Sequence, residues 1–264
     1  MATPSPAIAL CGVRKSFDRG ATFAVDDVSL DVAAGEFLAI IGGSGSGKTT
    51  TLRMINRLIE PDAGQVLIEG QSAFELAPHE LRRRMGYVIQ GVGLFPHLTT
   101  AENIAVTPKL LGWPREEIEA RVNELLELVE LAPAEYAQRL PAALSGGQKQ
   151  RIGVARALAA KPHIVLMDEP FGALDPLTRD TLTEAYRKLH DRLGVTSVMI
   201  THDVQEALLL ADRLAVMAEG KLLALGTPQE LAQGEVPQHV RDLLEMPRRQ
   251  ARRVRERLAD SGNG

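Results

Sequence analysis

Phe37-Leu38-Ala39-Ile40-Ile41-Gly42-Gly43-Ser44-Gly45-Ser46-Gly47-Lys48-Thr49-Thr50 is the stretch whose reading decides the fold. Phe37 to Ile41 is an apolar, β-type run, and Gly42 to Thr49 fits the pattern G-x-x-x-x-G-K-[ST] without a mismatch. A helical stretch from Thr50 to Leu58 follows. Strand, glycine-rich loop and helix in that order are the context a nucleoside triphosphate site requires. The glycines let successive backbone N–H groups turn toward phosphate, and the helix start adds its positive end. Lys48 is expected to reach the β- and γ-phosphates, and Thr49 to set its hydroxyl on Mg²⁺. Ser44, Ser46 and Thr50 complete the expected ATP-binding set.

Outward from that loop, apolar β-type runs recur at Met85 to Ile89, Ile164 to Met167, Ser197 to Ile200 and Leu214 to Met217. Helical stretches between several of them predict an α/β fold with a largely parallel sheet flanked by helices. Ala7 to Val13 and Phe23 to Val32, separated by the turn-rich Asp18-Arg19-Gly20, predict a small N-terminal antiparallel β piece. From about residue 91 to 160 strand signals vanish. Glu116 to Glu130 puts Ile118, Val122, Leu125, Leu126 and Val129 on one helical face, so a helical insertion is expected there. Proline interrupts the pattern at Leu94-Phe95-Pro96 and Leu140-Pro141, which bound it. No internal repeat is visible.

Ile164 to Met167 ends in Asp168-Glu169-Pro170. Ligands bind at the carboxyl ends of parallel strands, so Asp168 is expected to hold Mg²⁺ and Glu169 to polarise the attacking water. Two acids at the end of a buried strand cost free energy unless paired or metal-bound. His202 follows another strand run and is placed to reach the γ-phosphate from the same edge, although a lone histidine is more often structural. Leu144-Ser145-Gly146-Gly147-Gln148 opens a further helix, with Ser145 as N-cap and Gln148 completing a capping box. On spacing alone this describes an anion-binding helix start and an ordinary capped helix equally well.

Bulk properties narrow the rest. The 264 residues are 45% hydrophobic and 24% charged, as in globular proteins, with a formal net charge of -4. That balance does not invite nucleic acid or anionic lipid. The single cysteine, Cys11, cannot close an internal disulfide, which suggests a reducing compartment, and it is expected to be a small buried hydrophobe. Met1 to Ala7 lacks the basic start and apolar core of a signal peptide, and no apolar run approaches the roughly 18 residues of a membrane span. A cytoplasmic chain that meets membranes through partners is the expectation. The arginines at 248, 249, 252, 253, 255 and 257, before Ser261-Gly262-Asn263-Gly264, read as a solvated helix end, or as a contact for anionic headgroups.

With these elements in order, the sequence resembles the ABC ATPases over nearly its whole length. Leu144 to Gln148 looks like that family's signature. Around it stand the phosphate loop, Gln90 after Met85 to Ile89, Asp168 and Glu169, the loop Ala173-Leu174-Asp175, and His202. The resemblance implies the ABC ATPase fold, a P-loop NTPase (RecA-like) core, over residues 7–242, while the basic residues 243–264 read from the sequence itself as a flexible tail. It also implies a head-to-tail pair holding two ATPs, each on one chain's phosphate loop and capped by Ser145, Gly146, Gly147 and Gln148 of the other. Gln90 would touch Mg²⁺ and the water, Asp175 would shape the dimer contact, and Phe17 would stack on adenine, a core aromatic being the other reading.

Within the family the likeness is to importers of osmoprotectants and quaternary amines such as glycine betaine, carnitine and choline. It rests on Met54 to Leu58, Gly86 to Gln90, Gly93 to His97, Pro108 to Leu111 with Trp113, and Asp168 to Pro176. A second ATPase subunit, permease subunits and, indirectly, an extracytoplasmic binding protein are the implied partners, and the chain itself would sit on the inner face of the cell membrane through the permease. Importers of another small solute, an exporter and a soluble ABC protein are the rival readings. Gly91 departs from a second glutamine carried by many relatives. The end of the chain soon after the core leaves no expectation of ionic-strength gating by paired CBS domains.

Overall fold

The computed structural model describes residues 5–91 and 93–260, with side chains through residue 257. Ten strands run β1 (Ile8–Lys15), β2 (Val25–Val32), β3 (Phe37–Ile41), β4 (Ala63–Ile68), β5 (Gln71–Ser72), β6 (Met85–Val88), β7 (Ile164–Asp168), β8 (Thr196–Ile200), β9 (Arg213–Ala218) and β10 (Lys221–Gly226). The helices are α1 (Lys48–Ile55), α2 (Pro78–Arg83), α3 (Thr100–Leu110), α4 (Arg115–Leu128), α5 (Pro133–Tyr136), α6 (Gly146–Leu158), α7 (Pro176–Leu193), α8 (Val204–Leu210), α9 (Pro228–Gln233) and α10 (Gln238–Asp260).

One sheet has the order β10-β9-β3-β8-β7-β6 and the other β2-β1-β4-β5. In the larger sheet β9, β3, β8, β7 and β6 pair in parallel, and only β10 is antiparallel. The smaller sheet is antiparallel throughout. The five parallel strands carry the five apolar runs, and the period of two explains how they hold two cores at once. Phe37, Ala39, Ile41, Val165, Met167 and Met199 face α3, α4, α6, α7 and α8. Leu38, Ile40, Ile164, Leu166, Val198 and Ile200 face the antiparallel sheet and Leu52, Met54 and Ile55 of α1.

The helical insertion appears as α3 to α6, without a strand between β6 and β7 among the described residues. On α4, Ile118, Val122, Leu125 and Leu126 are buried, and Val129 just past it is fully so. Thr99 and Glu102 start α3 with a reciprocal capping box, at 3.2 and 2.8 Å.

Four expectations need correction. Cys11 is exposed rather than buried. Ile8 and Leu10 face the core, so the period of two turns Cys11 outward, and the register slip between Leu10 and Val13, where Gly12 takes φ +59°, is what returns Val13 to the core. Phe23 lies outside β2, which begins at Val25, and is 41% exposed. Three strands, β4, β5 and β10, have no counterpart among the expected runs, because each lies at or near a sheet edge and few of its residues are buried. Finally, α10 runs unbroken across residues 242 and 243, where a tail was expected to start. Ser261 to Gly264 and Met1 to Pro4 lie outside the described residues. No described helix is long and apolar enough to cross a membrane.

Candidate nucleotide site

The loop between β3 and α1 is shaped by two glycines that nothing else can replace. Gly42 and Gly47 have φ +151° and +96°, and a Cβ would stand 2.1 Å from the Met217 carbonyl oxygen at Gly42 and 2.3 Å from that of Ala24 at Gly47. The loop is thus clasped between β9 and the chain entering β2. A Cβ at Gly43 or Gly45 would meet nothing within 4 Å, so the outer side of the loop is open to a ligand. Lys48 is buried and folds back on the loop, its Nζ donating to the carbonyls of Gly42 (2.9 Å) and Gly43 (2.7 Å) and to Ser46 Oγ (3.2 Å). Burial pushes its pKa down, against the opposing pull of Glu169 and Asp168.

Asp168, at the end of β7, is 1% exposed. Its Oδ1 accepts from the Thr49 hydroxyl at 3.3 Å, and its Oδ2 lies 4.0 Å from Arg53 Nη2. That Oδ2 is buried without a hydrogen-bond partner among the described residues. Burial raises the Asp168 pKa despite Thr49, Arg53 and Lys48. A buried carboxylate oxygen without a donor is costly, and together with the Thr49 hydroxyl it fits a hard cation. No group of three His, Cys, Asp or Glu among the described residues is arranged to hold a metal by itself. The Asp168 and Thr49 oxygens could hold a cation that takes its other ligands from water and phosphate, as Mg²⁺ does.

Glu169 takes φ +50°, which swings its side chain away from the strand, while its N–H donates to the Ile200 carbonyl of β8 at 3.0 Å. Gln90 Nε2 donates to Glu169 Oε2 at 3.3 Å, and His202 Nδ1 lies 3.4 Å from Glu169 Oε1. The ends of β6, β7 and β8 thus converge beside the loop. Lys48, Thr49, Gln90, Asp168, Glu169 and His202 are brought into one constellation.

The remaining expected residues stand apart from it. Ser145 caps α6 and accepts from Gln148 N at 3.2 Å, while Gln148 Nε2 donates to Tyr136 OH at 3.3 Å. None of the hydrogen bonds of Ser145 to Gln148 reaches the loop among the described residues, and both Ser145 and Gly146 are exposed. Phe17 is 66% exposed, with Lys15 Nζ 5.8 Å from its ring, so it is not a core aromatic. Asp175 caps α7, accepting from Thr178 N at 3.0 Å, and hydrogen bonding first from the Thr178 hydroxyl and then from that N–H holds its carboxyl below the usual range.

The sequence reading passed over Arg53 and Gln150. Arg53 follows Thr49 by one helical turn, and that spacing places both on the face toward Asp168. Gln150 bonds to residues about twenty positions away, and no local pattern announces such a contact.

A phosphate loop at the carboxyl edge of a parallel sheet, with acids at the end of the neighbouring strand, defines a P-loop nucleotide-binding protein. The helical insertion and the second helix start narrow the class. The ABC transporter family model matches residues 25–172, and the chain belongs to that family. It is 52% identical over 226 residues to the glycine betaine/carnitine/choline transport ATP-binding protein OpuCA of Bacillus subtilis, covering 86% of this chain and 59% of the relative. It is 51% identical over 209 residues to the glycine betaine uptake system ATP-binding protein YehX of Escherichia coli, covering 79% of this chain and 68% of that one. The chain thus spans less than two thirds of the Bacillus relative's length. Among solved structures, the dimeric post-hydrolysis state of the ATP-binding cassette MJ0796, bound to ADP and Pi, superposes with a TM-score of 0.76 at 35% identity, covering 83% of this chain and 98% of that one.

Proposed function

We propose that this chain binds and hydrolyses ATP as one of a head-to-tail pair, and so drives a permease importing osmoprotectants or quaternary amines of the glycine betaine, carnitine and choline type. The observation that carries the reading is the convergence of Lys48, Thr49, Gln90, Asp168, Glu169 and His202 from four separate segments on one sheet edge. The names of the Bacillus and Escherichia relatives support the solute class, and the dimeric cassette supports the pairing.

Lys48 and the amides of Gly42 to Thr50 bind and orient the phosphates. Thr49 and Asp168, with Gln90 beside them, would hold Mg²⁺, which when bound neutralises charge on the phosphate oxygens. Glu169 accepts the proton of the attacking water, and Gln90 and His202 hold its carboxylate in place. Phe17, exposed at the rim, offers a face for adenine. Ser145 to Gln148, at the start of α6, cap the nucleotide of the partner, and Asp175 lies at that contact. Residues 7–242 form the ATPase unit. It works at the inner face of the membrane, with an extracytoplasmic binding protein choosing the solute.

Glu169→Gln keeps the side chain's size and its contact with Gln90 but removes the proton acceptor. General-base loss costs about 10²–10⁴-fold in kcat, so ATP should still bind while steady-state phosphate release all but stops. Wild-type turnover in this variant would overturn the assignment. Calorimetry of cognate binding proteins with betaine, carnitine, choline and proline tests the solute class.

A further inference from the structure

Gln150 lies on α6 and is 6% exposed. Its Nε2 donates to the Glu169 carbonyl at 2.9 Å, and its Oε1 accepts from the Ala173 N–H at 2.9 Å. Only one orientation of the amide serves both partners, so the clamp is directional. It fastens the turn after β7 to the same rigid helix whose first residues are Gly146 and Gly147. Gln150 follows Ser145 by five positions, on the order of 7 Å along the helix axis. The two parts also touch directly, since a Cβ at Gly147 would stand 3.1 Å from Leu174 Cδ2.

The far end of α6 grips the other side of the acid's surroundings. Arg156 Nη1 donates to the Gly93 carbonyl at 2.8 Å, and its guanidinium lies 6.0 Å from the Phe95 ring. Gly93 belongs to the loop that starts at Gln90, the donor to Glu169. Helix α6 therefore holds the Glu169 backbone through Gln150, and reaches the Gln90 loop through Arg156.

We propose that Gln150 is a positioning residue that couples the two composite sites of the pair. It ties Glu169, which acts at the chain's own nucleotide, to the helix start at Ser145 that the chain lends to its partner's nucleotide. Engagement of Ser145 to Gln148 then moves α6 and the Glu169 turn as one body, and neither site completes itself alone. This rests on the paired-site reading above.

The test uses pairs of the full chain carrying two different tags, co-expressed and isolated. In the reference pair one chain carries Glu169→Gln, leaving a single hydrolysing site capped by that chain's Ser145. In the test pair the same chain also carries Gln150→Met, which keeps the length and removes both hydrogen bonds. Its own Glu169 is already gone, so any effect on the other site travels through α6. The expected result is a fall in turnover of about tenfold, with the KM for ATP within about twofold because the intact chain's Lys48 loop is untouched. Equal turnover in the two pairs overturns the proposal, since Gln150 would then serve only its own acid. Should Gln150→Met fail to fold, Gln150→Glu keeps the acceptor for Ala173, loses the donor to Glu169, and is judged by the same two outcomes. Failure of the underlying reading shows elsewhere: pairs with Glu169→Gln on both chains would hydrolyse ATP like wild type.

Discussion

Substituting alanine for Gly86 tests how tightly β6 must lie on α6. A Cβ at Gly86 would stand 2.3 Å from the Ala157 carbonyl oxygen, 3.0 Å from its carbon and 3.2 Å from Pro162 Cγ. The first two atoms are helix backbone and cannot rotate away. Ordinary contact needs roughly 3.4 Å or more, so strand or helix must move by about 1 Å. Overpacking of this kind costs about 1–3 kcal/mol, and replacing a strand glycine returns about 0.5–1 kcal/mol. The net loss is then about 1–2 kcal/mol. A chain of this size loses about 2–4 °C in Tm per kcal/mol, so melting without nucleotide should fall by about 2–8 °C. Because β6 leads to Gln90, kcat should fall as well. Gly43→Ala, whose Cβ meets nothing within 4 Å, is the stability control. A Gly86→Ala melting temperature at or above that of the unaltered chain would refute the close-packing argument.

Three further outcomes are expected. Thr227 caps α9, its Oγ1 accepting from Glu230 N at 3.2 Å while Glu230 Oε2 accepts from Thr227 N at 2.8 Å. Thr227→Ala should therefore cost about 1 kcal/mol in urea unfolding, and an unchanged midpoint would refute the capping. Asp18 is held down to about 2, first by the Thr22 hydroxyl at 2.6 Å, then by the Thr22 N–H at 2.8 Å and Ser16 Oγ at 2.7 Å. The folded value is depressed, so this contribution is present above the ordinary 3.8 and lost as pH falls through about 2. Carboxyl-carbon NMR should show that titration, and Thr22→Val should raise it. Cys11 is exposed, so a thiol reagent should modify it to the same extent in native buffer and in urea; protection in the native chain would refute its outward placement on β1.

Legibility in the sequence followed the range of the interaction. Gly42 to Thr49, the Ser145 cap and the α4 stripe are set by neighbours within a few positions, and each appears where its pattern placed it. The acids and His202 were legible because strand ends at a parallel sheet's carboxyl edge are a single place in space, whatever the order along the chain. Cys11 was misread because Ile8, Leu10 and Val13 are all buried, and only the pairing of β1 with β2 and β4 shows where the alternation breaks and which residue it leaves outside. Strands β4, β5 and β10, at or next to a sheet edge, were missed because pairing forms them with little burial to mark them.

By itself, then, the sequence determined a phosphate loop between a strand and a helix, the acids after a second strand, and a second glycine-rich helix start. Each is local backbone chemistry that survives without knowledge of the rest. Only the tertiary structure decided that Gln90 and His202 hold the Glu169 carboxylate from opposite sides, that Asp168 is buried with one oxygen lacking a donor, and that Gln150 clamps the Glu169 turn to α6. Those contacts join residues that share no segment, and side chains so far apart in sequence meet only when the sheet and helices pack.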